Sequence, residues 1–389
     1  MELRELVRSH REWIVETRRA LHRIPEVASC EEKTSALVAG LLQELGLEVT
    51  RGVGGWGVVG LLPGASPGPT VMLRADMDGL PIDEETGLEF SSTHPGVMHA
   101  CGHDANMAMV LGAAKTLVDL RGLLRGNVKL VFQPAEEGAS GAKPMIQEGV
   151  LETPRVDWAL GCHLWPGLPE GTVGVKAGPL MAAMDRFDIR ILGKGGHGAM
   201  PHLCVDALEV GTQAVGALQR IVSRQMNPLQ PSVVTVGSFH SGTAFNIIPE
   251  EARLSGTTRT FDRLIWERWP QLLERVIRGV CDSMGAGYEF KYTQGCPPMV
   301  NDPLVAQWVR HCAMEVVGEE RVVEPEPTMG GEDMSYFLER VPGCYYFLGV
   351  GREGGAPVHN PRFDFNEEVL LTGTEIHCRV VVKLLGQEG

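Results

Sequence analysis

Positive charge is scarce in this sequence. Its 389 residues carry 35 Lys and Arg against 49 Asp and Glu, a formal net charge of −14 at pH 7, with no standout Lys/Arg run. A phosphate backbone would be repelled, so nucleic acid is not an expected partner. Long apolar runs are missing too: none reaches the ~18–20 residues of a membrane span, and no membrane partner is expected. Residues Met1 to Trp13 are charged and lack the apolar stretch of a secretion signal. The nine cysteines include no Cys-x-x-Cys pair. An odd, scattered set points to reduced thiols in a cytoplasmic chain rather than a disulfide framework. The Walker loop and His-Glu-x-x-His are both absent, which leaves phosphate-loop and zincin chemistry without their motifs.

What is present reads as a globular enzyme. The length predicts two to three domains with a sizeable core. The hydrophobic content of 43% and charged content of 22% are ordinary. Gly and Pro, 48 and 25 residues without a period, predict many tight loops.

Apolar residues at helical spacing predict one amphipathic helix over residues 2–22 and a second over 31–45. Residues 56–62 and 70–74 read as strands joined by a hairpin-like Pro-Gly connection. The second delivers Asp76 and Asp78 at its carboxyl end. A helix is expected over 107–120. Strands over 127–133 and 157–162 end at Glu136-Glu137 and at His163. Ligand-type side chains just past strand carboxyl ends are what an open α/β sheet uses to build sites. From about residue 178 the texture changes. Strands near 185–192, 232–239, 252–260 and 288–293, with helices over 205–222 and 262–284, follow the order β-α-β-β-α-β of a ferredoxin-like α+β insert. A short strand is expected over 246–248. The tail adds a helix over 303–317, a strand over 344–348, His359 on a loop and a final helix over 366–385. The predicted domains are therefore 1–178 with 294–389, discontinuous, and 179–293, a satellite.

The chain is organised around His99-Ala-Cys-Gly-His-Asp-Ala-Asn106. Cys101 and His103, two apart, are ligand types for a divalent transition metal. Alone the pair is a weak signal. Glu136, Glu137, His163 and His359, each in a Gly- or Pro-flanked context, complete the supply that a two-metal hydrolase needs: five ligands and one base. Each member also has a plainer reading. Glu136-Glu137 is either a solvated turn or a ligand beside a base; adjacent carboxylates on extended backbone point apart, which suits the second. His163 is a ligand or a backbone-satisfied core histidine; Cys162 faces the other way and packs. His359 is a ligand or a surface turn. Asp76 and Asp78 share a face if their strand persists, and one can orient a ligating histidine; the alternative is a cap. Gly193-Lys-Gly-Gly-His-Gly198 fits the dinucleotide fingerprint, but no helix opens at once, so the match is accidental. His197 within it is either a surface histidine or a donor to a developing oxyanion.

At these positions the chain resembles the M20 metallopeptidase family, in its amidohydrolase branch of hippurate, N-acyl-amino-acid and auxin-conjugate hydrolases. The resemblance spans nearly the whole length. It rests on Arg74-Ala-Asp-Met-Asp78, Met98-His-Ala-Cys-Gly-His-Asp104, Gln133-Pro-Ala-Glu-Glu-Gly138, Gly195-Gly-His-Gly-Ala-Met-Pro-His202, Phe245-Asn-Ile-Ile-Pro249, Gly331-Glu-Asp333 and Val358-His-Asn-Pro361. It implies an α/β fold: a zinc-exopeptidase-like catalytic domain with a mixed sheet between helices, and an inserted satellite domain through which subunits dimerise. It implies that Cys101, His103, Glu137, His163 and His359 hold two divalent ions, zinc foremost, with manganese, cobalt or nickel as alternatives, and that Glu136 is the general base and acid. It implies that His197 reaches the partner subunit's active site to help hold the scissile carbonyl oxygen, and that Asn246 and Arg259 lie near the substrate, Arg259 on its carboxylate. Asn106 stands where many relatives carry His and Gly79 where Ala is common; neither matches a ligand position.

The expectation is a metal-dependent amidohydrolase acting on a small N-acyl amino acid or peptide conjugate, as a homodimer or dimer of dimers. Two alternatives stand beside it: a di-/tripeptidase or carboxypeptidase of the same family, and a catalytically idle metal-binding or interaction protein on the same scaffold.

Overall fold

A computed structural model of the chain describes residues 2–138 and 141–386. The chain folds as two compact units, Met1–Gly178 with Val300–Glu326 and Asp333–Gly389, and Pro179–Met299 with Pro327–Glu332.

The first unit is built on a mixed eight-stranded sheet in the order Glu48–Val53, Gly57–Pro63, Arg125–Gln133, Ser66–Asp76, Trp158–Pro169, Gly343–Gly351, Val173–Gly174, Val322–Val323. Its four central strands run parallel. Such strands are covered on both faces and so read as continuous apolar runs, as in Val128-Lys-Leu-Val-Phe132 and Tyr345-Tyr-Phe-Leu348. The hairpin expected between residues 56–62 and 70–74 does not form. Gly57–Pro63 pairs instead with Glu48–Val53 and Arg125–Gln133, and the latter separates it from Ser66–Asp76. Turn chemistry reports that the chain reverses, whereas sheet order depends on which strand arrives later over a crossover helix.

That crossover helix, His103–Asp119, is buried along almost its whole length. It begins four residues before the expected start. Gly102 takes the left-handed conformation (φ 85°), and its carbonyl accepts the amides of Ala105 and Asn106 at 3.0 and 3.2 Å, so the helix starts within the ligand stretch. The amphipathic stretch over residues 2–22 is two helices, Leu3–Ser9 and Arg11–His22. They break at His10, whose ring reaches Asp119 at 2.9 Å, a tertiary contact that helical periodicity does not register.

The second unit contains a four-stranded antiparallel sheet in the order Ser232–Ser241, Glu251–Thr260, Ala183–Leu192, Gly287–Cys296. Helices Ala207–Gln225 and Arg263–Met284 pack on one face through Val210, Leu218, Trp269 and Leu273 against Phe187, Ile189 and Ile191. This is the ferredoxin-like arrangement. Asp185, buried in the sheet, accepts from Trp266 Nε1 at 3.0 Å, Tyr292 Oη at 2.5 Å and the Gly295 amide at 2.8 Å.

The central helix of the first unit packs closely on the C-terminal helix Glu368–Leu385 through glycines. A Cβ at Gly373 would lie 2.1 Å from Met109 Sδ and 2.9 Å from Leu348 Cδ1. Gly373→Val should therefore lower unfolding stability by about 1–3 kcal/mol through overpacking, read as a reduced urea midpoint at unchanged m-value. A midpoint equal to that of the unaltered chain would show that the two helices can part freely.

Candidate metal centre

The site starts from a buried ion network beneath the strand ends. Arg74 is 1% exposed. Its guanidinium donates to Gln133 Oε1 at 2.9 Å, Asp76 Oδ2 at 2.8 Å and Asp333 Oδ1 at 3.1 Å. Asp333 also accepts from Gln133 Nε2 at 2.6 Å and from the Ala142 amide at 3.0 Å. The ends of two neighbouring parallel strands are thereby tied to one another and to the return segment of the chain. A buried charge network persists only when its members are paired, so it holds these ends in register.

Above this floor the ligand-type side chains meet. Cys101, His103 and His163 bring one ligand atom each within 4.8 Å of one another; so do Cys101, Glu137 and His359, and likewise His103, Glu136 and Glu137. The first two groups share the Cys101 sulfur. That sulfur lies 3.3 Å from His163 Nε2, and His359 Nε2 lies 3.1 Å from Glu137 Oε1. Backbone carbonyls set the tautomers. His103 Nδ1 donates to the Asp78 carbonyl at 2.8 Å and His163 Nδ1 to the Leu164 carbonyl at 2.6 Å. Each Nε2 is left facing the cluster, the orientation a metal-binding imidazole needs. His103 Nε2 is fully buried without a hydrogen-bond partner, an orphaned atom that a cation would satisfy. His359 sits in the left-handed region (φ 62°), and its amide donates to the Ala100 carbonyl at 2.8 Å, pinning this late loop to the Cys101 stretch.

The electrostatics favour positive charge here. Burial would push the Cys101 thiol up, but the His163 and His103 imidazoles beside it bring it down to about 6. Burial would lower His163, but Cys101 lifts it to about 9. Hydrogen bonding to Cys101 and Glu137 raises His359 to about 10. The cluster thus retains protons in the absence of other cations, and the donor set of thiolate, imidazoles and carboxylate suits a divalent transition metal that would displace them.

Asp76 and Asp78 act differently from one another. The strand stops at Asp76, so the two do not share a strand face. Asp76 Oδ2 lies 3.7 Å from His103 Nε2, and Asp76 Oδ1 accepts from Asn106 Nδ2 at 2.8 Å. Asp78 orients His103 through its backbone carbonyl. Its carboxylate accepts the amides of Glu136 at 3.0 Å and Glu137 at 2.9 Å, which holds the acidic loop. His163 is also not at a strand end. Trp158–Pro169 continues beyond it, but pairing with Ser66–Asp76 stops at Gly161, leaving His163 free on that side. Sequence reasoning assigned no role to Gln133 and Asp333; both stood inside quoted motifs, but as uncharged or isolated residues they carried no chemical signal.

His197, Asn246 and Arg259 lie in the second unit. His197 is exposed, and its Nδ1 accepts the Ala199 amide at 3.0 Å. Its strand residue pairs with Ile247, next to Asn246, whose carbonyl accepts the Gly198 amide at 2.9 Å. Arg259 donates from Nε to the Met329 carbonyl at 3.1 Å and from one terminal nitrogen to the Thr258 carbonyl at 2.9 Å.

Known proteins are similar to this chain over most of its length. The profile of peptidase family M20/M25/M40 matches residues 72–383. An N-acyl-L-amino acid amidohydrolase of Geobacillus stearothermophilus is 47% identical over 302 residues, covering 77% of this chain and 81% of that one. Thermostable carboxypeptidase 1 of Saccharolobus solfataricus is 42% identical over 389 residues, 98% of each. A crystal structure of a Bacillus subtilis dinuclear metal-binding peptidase of the M20 family superposes with a TM-score of 0.83 at 34% identity, covering 97% of this chain and 99% of that one.

Asp104, the residue after His103, anchors the start of the central helix. Its Oδ2 accepts from Arg18 Nε at 2.7 Å and His22 Nδ1 at 2.8 Å, and His22 Nε2 lies 3.2 Å from Glu84 Oε1. Burial opposes ionisation of Glu84, but His22, the Thr86 hydroxyl and the Ser92 amide hold it at about 2 against an ordinary 4.5. A carboxylate held below its unfolded value stabilises the fold above that value and ceases to do so as protons occupy it. Unfolding free energy should therefore fall as pH drops from about 4.5 to about 2, and Glu84→Gln should flatten that fall. Urea unfolding across this range tests it; equal slopes for the two proteins would remove Glu84 from the acid response.

Proposed function

The chain belongs to peptidase family M20/M25/M40, and from that premise we propose that it is a metal-dependent amidohydrolase cleaving the amide bond of an N-acyl amino acid to a carboxylic acid and a free amino acid. One observation carries the reading: two ligand groups share Cys101, and a carboxylate oxygen of Glu136 falls within 4.8 Å of the ligand atoms of His103 and Glu137. A binding module has no use for that extra carboxylate. Similarity to an N-acyl-L-amino acid amidohydrolase supports the substrate class. In this reading Cys101, His103, Glu137, His163 and His359 hold two divalent ions, zinc foremost, with Asp76 and Asp78 behind them. When bound, such ions supply Lewis acidity and lower the pKa of water towards ~7.

The residues divide the work as follows. Glu136 takes a proton from the attacking water as the new C–O bond forms. It returns that proton to the amide nitrogen as the C–N bond breaks, so the amine leaves neutral. Asp78 fixes the backbone of both glutamates while this happens. On the second unit, His197 has its Nδ1 occupied as an acceptor, which leaves Nε2 to donate to a developing oxyanion in the partner subunit's active site. Asn246 and Arg259 are the substrate-contacting residues there, Arg259 meeting the carboxylate. The reading includes self-association through the ferredoxin-like unit, which exposes Met200, Leu203, Phe245 and Ile247, and residence in the reducing cytoplasm, consistent with nine unpaired cysteines. No helix among the described residues is long and apolar enough to cross a membrane.

Chelation should abolish hydrolysis of benzoyl- and acetyl-amino acids, and zinc, manganese, cobalt or nickel should restore it; an active metal-free protein ends the reading. Glu136→Gln should keep metal content and thermal midpoint while kcat falls roughly 10²–10⁴-fold. Substantial residual turnover would take Glu136 out of its role. Dipeptides belong in the same panel, because similarity to a carboxypeptidase favours peptide cleavage as a second reading. Preference for dipeptides over acyl amino acids would select it.

A further inference from the structure

Glu31 is fully buried at the N-cap of helix Glu32–Glu44, yet its side chain caps no amide of that helix. A carboxylate there ordinarily bonds the first-turn amides and contributes about 1 kcal/mol. This one turns away. Its Oε1 accepts the Ser29 amide at 3.0 Å and the Ala135 amide at 2.8 Å, while Oε2 has no hydrogen-bond partner. Ser29 (φ 66°) and Ala135 (φ 55°) are left-handed, and His359 is the only other such non-glycine residue among those described. Left-handed backbone costs a residue with a Cβ roughly 1–2 kcal/mol and persists where surrounding contacts enforce it. The same carboxylate oxygen therefore holds two of the three such positions.

Ala135 immediately precedes Glu136. The next two amides, those of Glu136 and Glu137, end on the Asp78 carboxylate. Successive amides of the acidic loop thus terminate on two acidic side chains far apart in sequence. The φ of Ala135 sets the direction in which the following backbone, and with it the Glu136 side chain, leaves the strand end. We propose that Glu31 is a positioning residue for the proposed proton carrier: by holding the Ala135 amide it keeps the loop in its left-handed turn and aims Glu136. The proposal rests on the reading of Glu136 as general base. Glu31 itself touches no reacting atom.

The test separates reach from charge. Glu31→Asp keeps the carboxylate but withdraws it from Ala135. Glu31→Gln keeps an acceptor oxygen at the same distance and removes only the ionisable group. In metal-free protein, hydrogen–deuterium exchange of the peptide covering residues 130–138 should be faster in Glu31→Asp and unchanged in Glu31→Gln. In zinc-loaded protein, kcat should fall by about 10²-fold in Glu31→Asp, the scale of a ~1 Å misplacement, at little-changed KM, and Glu31→Gln should stay near the unaltered chain. Ala135→Val, which penalises left-handed backbone without touching Glu31, should lower kcat as Glu31→Asp does, and keeps the test decisive if Glu31→Asp does not fold. Unchanged exchange and kcat in Glu31→Asp, an equal loss in Glu31→Gln, or full kcat in Ala135→Val would each overturn the assignment. Failure of the underlying reading looks different: the unaltered, metal-loaded chain would itself be inactive, or Glu136→Gln would be active, while the exchange result would stand.

Discussion

Asp78 joins the two halves of the site. Its carbonyl oxygen accepts a hydrogen bond from His103 Nδ1, and its carboxylate accepts those of the Glu136 and Glu137 amides. One residue, placed by the end of a central parallel strand, therefore orients an imidazole from the following helix and two carboxylates from the neighbouring strand. Lone pairs of a thiol, imidazoles and carboxylates crowded into a buried space repel one another unless protons or cations intervene. Two of them are held in place by backbone: the Nδ1 atoms of His103 and His163 donate to carbonyl oxygens.

The sheet explains why this is possible. Parallel strands bring carboxyl ends together at one edge, and the chain leaves each end in a loop. Ser66–Asp76, Arg125–Gln133 and Trp158–Pro169 are neighbours or next neighbours, so Asp76, Glu136, Glu137 and His163 converge although they are far apart in sequence. Arg74 beneath them pairs with both Asp76 and Asp333, so a buried cation offsets part of the cost of placing two carboxylic side chains in that floor.

Much of this was legible residue by residue. The spacing of Cys101 and His103, the paired glutamates after an apolar strand and the Pro-flanked His359 are local features, and local features survive folding. The ferredoxin-like order of the second unit was readable for the same reason: alternation along Ala183–Leu192 and helical periodicity in Arg263–Met284 are written in contiguous stretches. Misreadings arose where a distant contact decided. Pro-Gly turns before Thr70 implied a hairpin, but Arg125–Gln133 occupies the place beside Gly57–Pro63. Periodicity implied one N-terminal helix, but His10 is drawn to Asp119.

By itself the sequence determined the inventory: which side chains are of the types that bind a divalent ion, which carboxylate the proposed reading assigns to proton transfer, and which stretches are apolar enough to be buried. Those are properties of single residues and of short periods. Only the tertiary structure decided the wiring. That Asp78 works through its carbonyl as well as its carboxylate, that Arg74 reaches Asp333 across 259 positions, and that Glu31 ends on Ala135 all depend on strand order. Hydrogen bonds between distant segments leave no periodic trace in the chain that makes them.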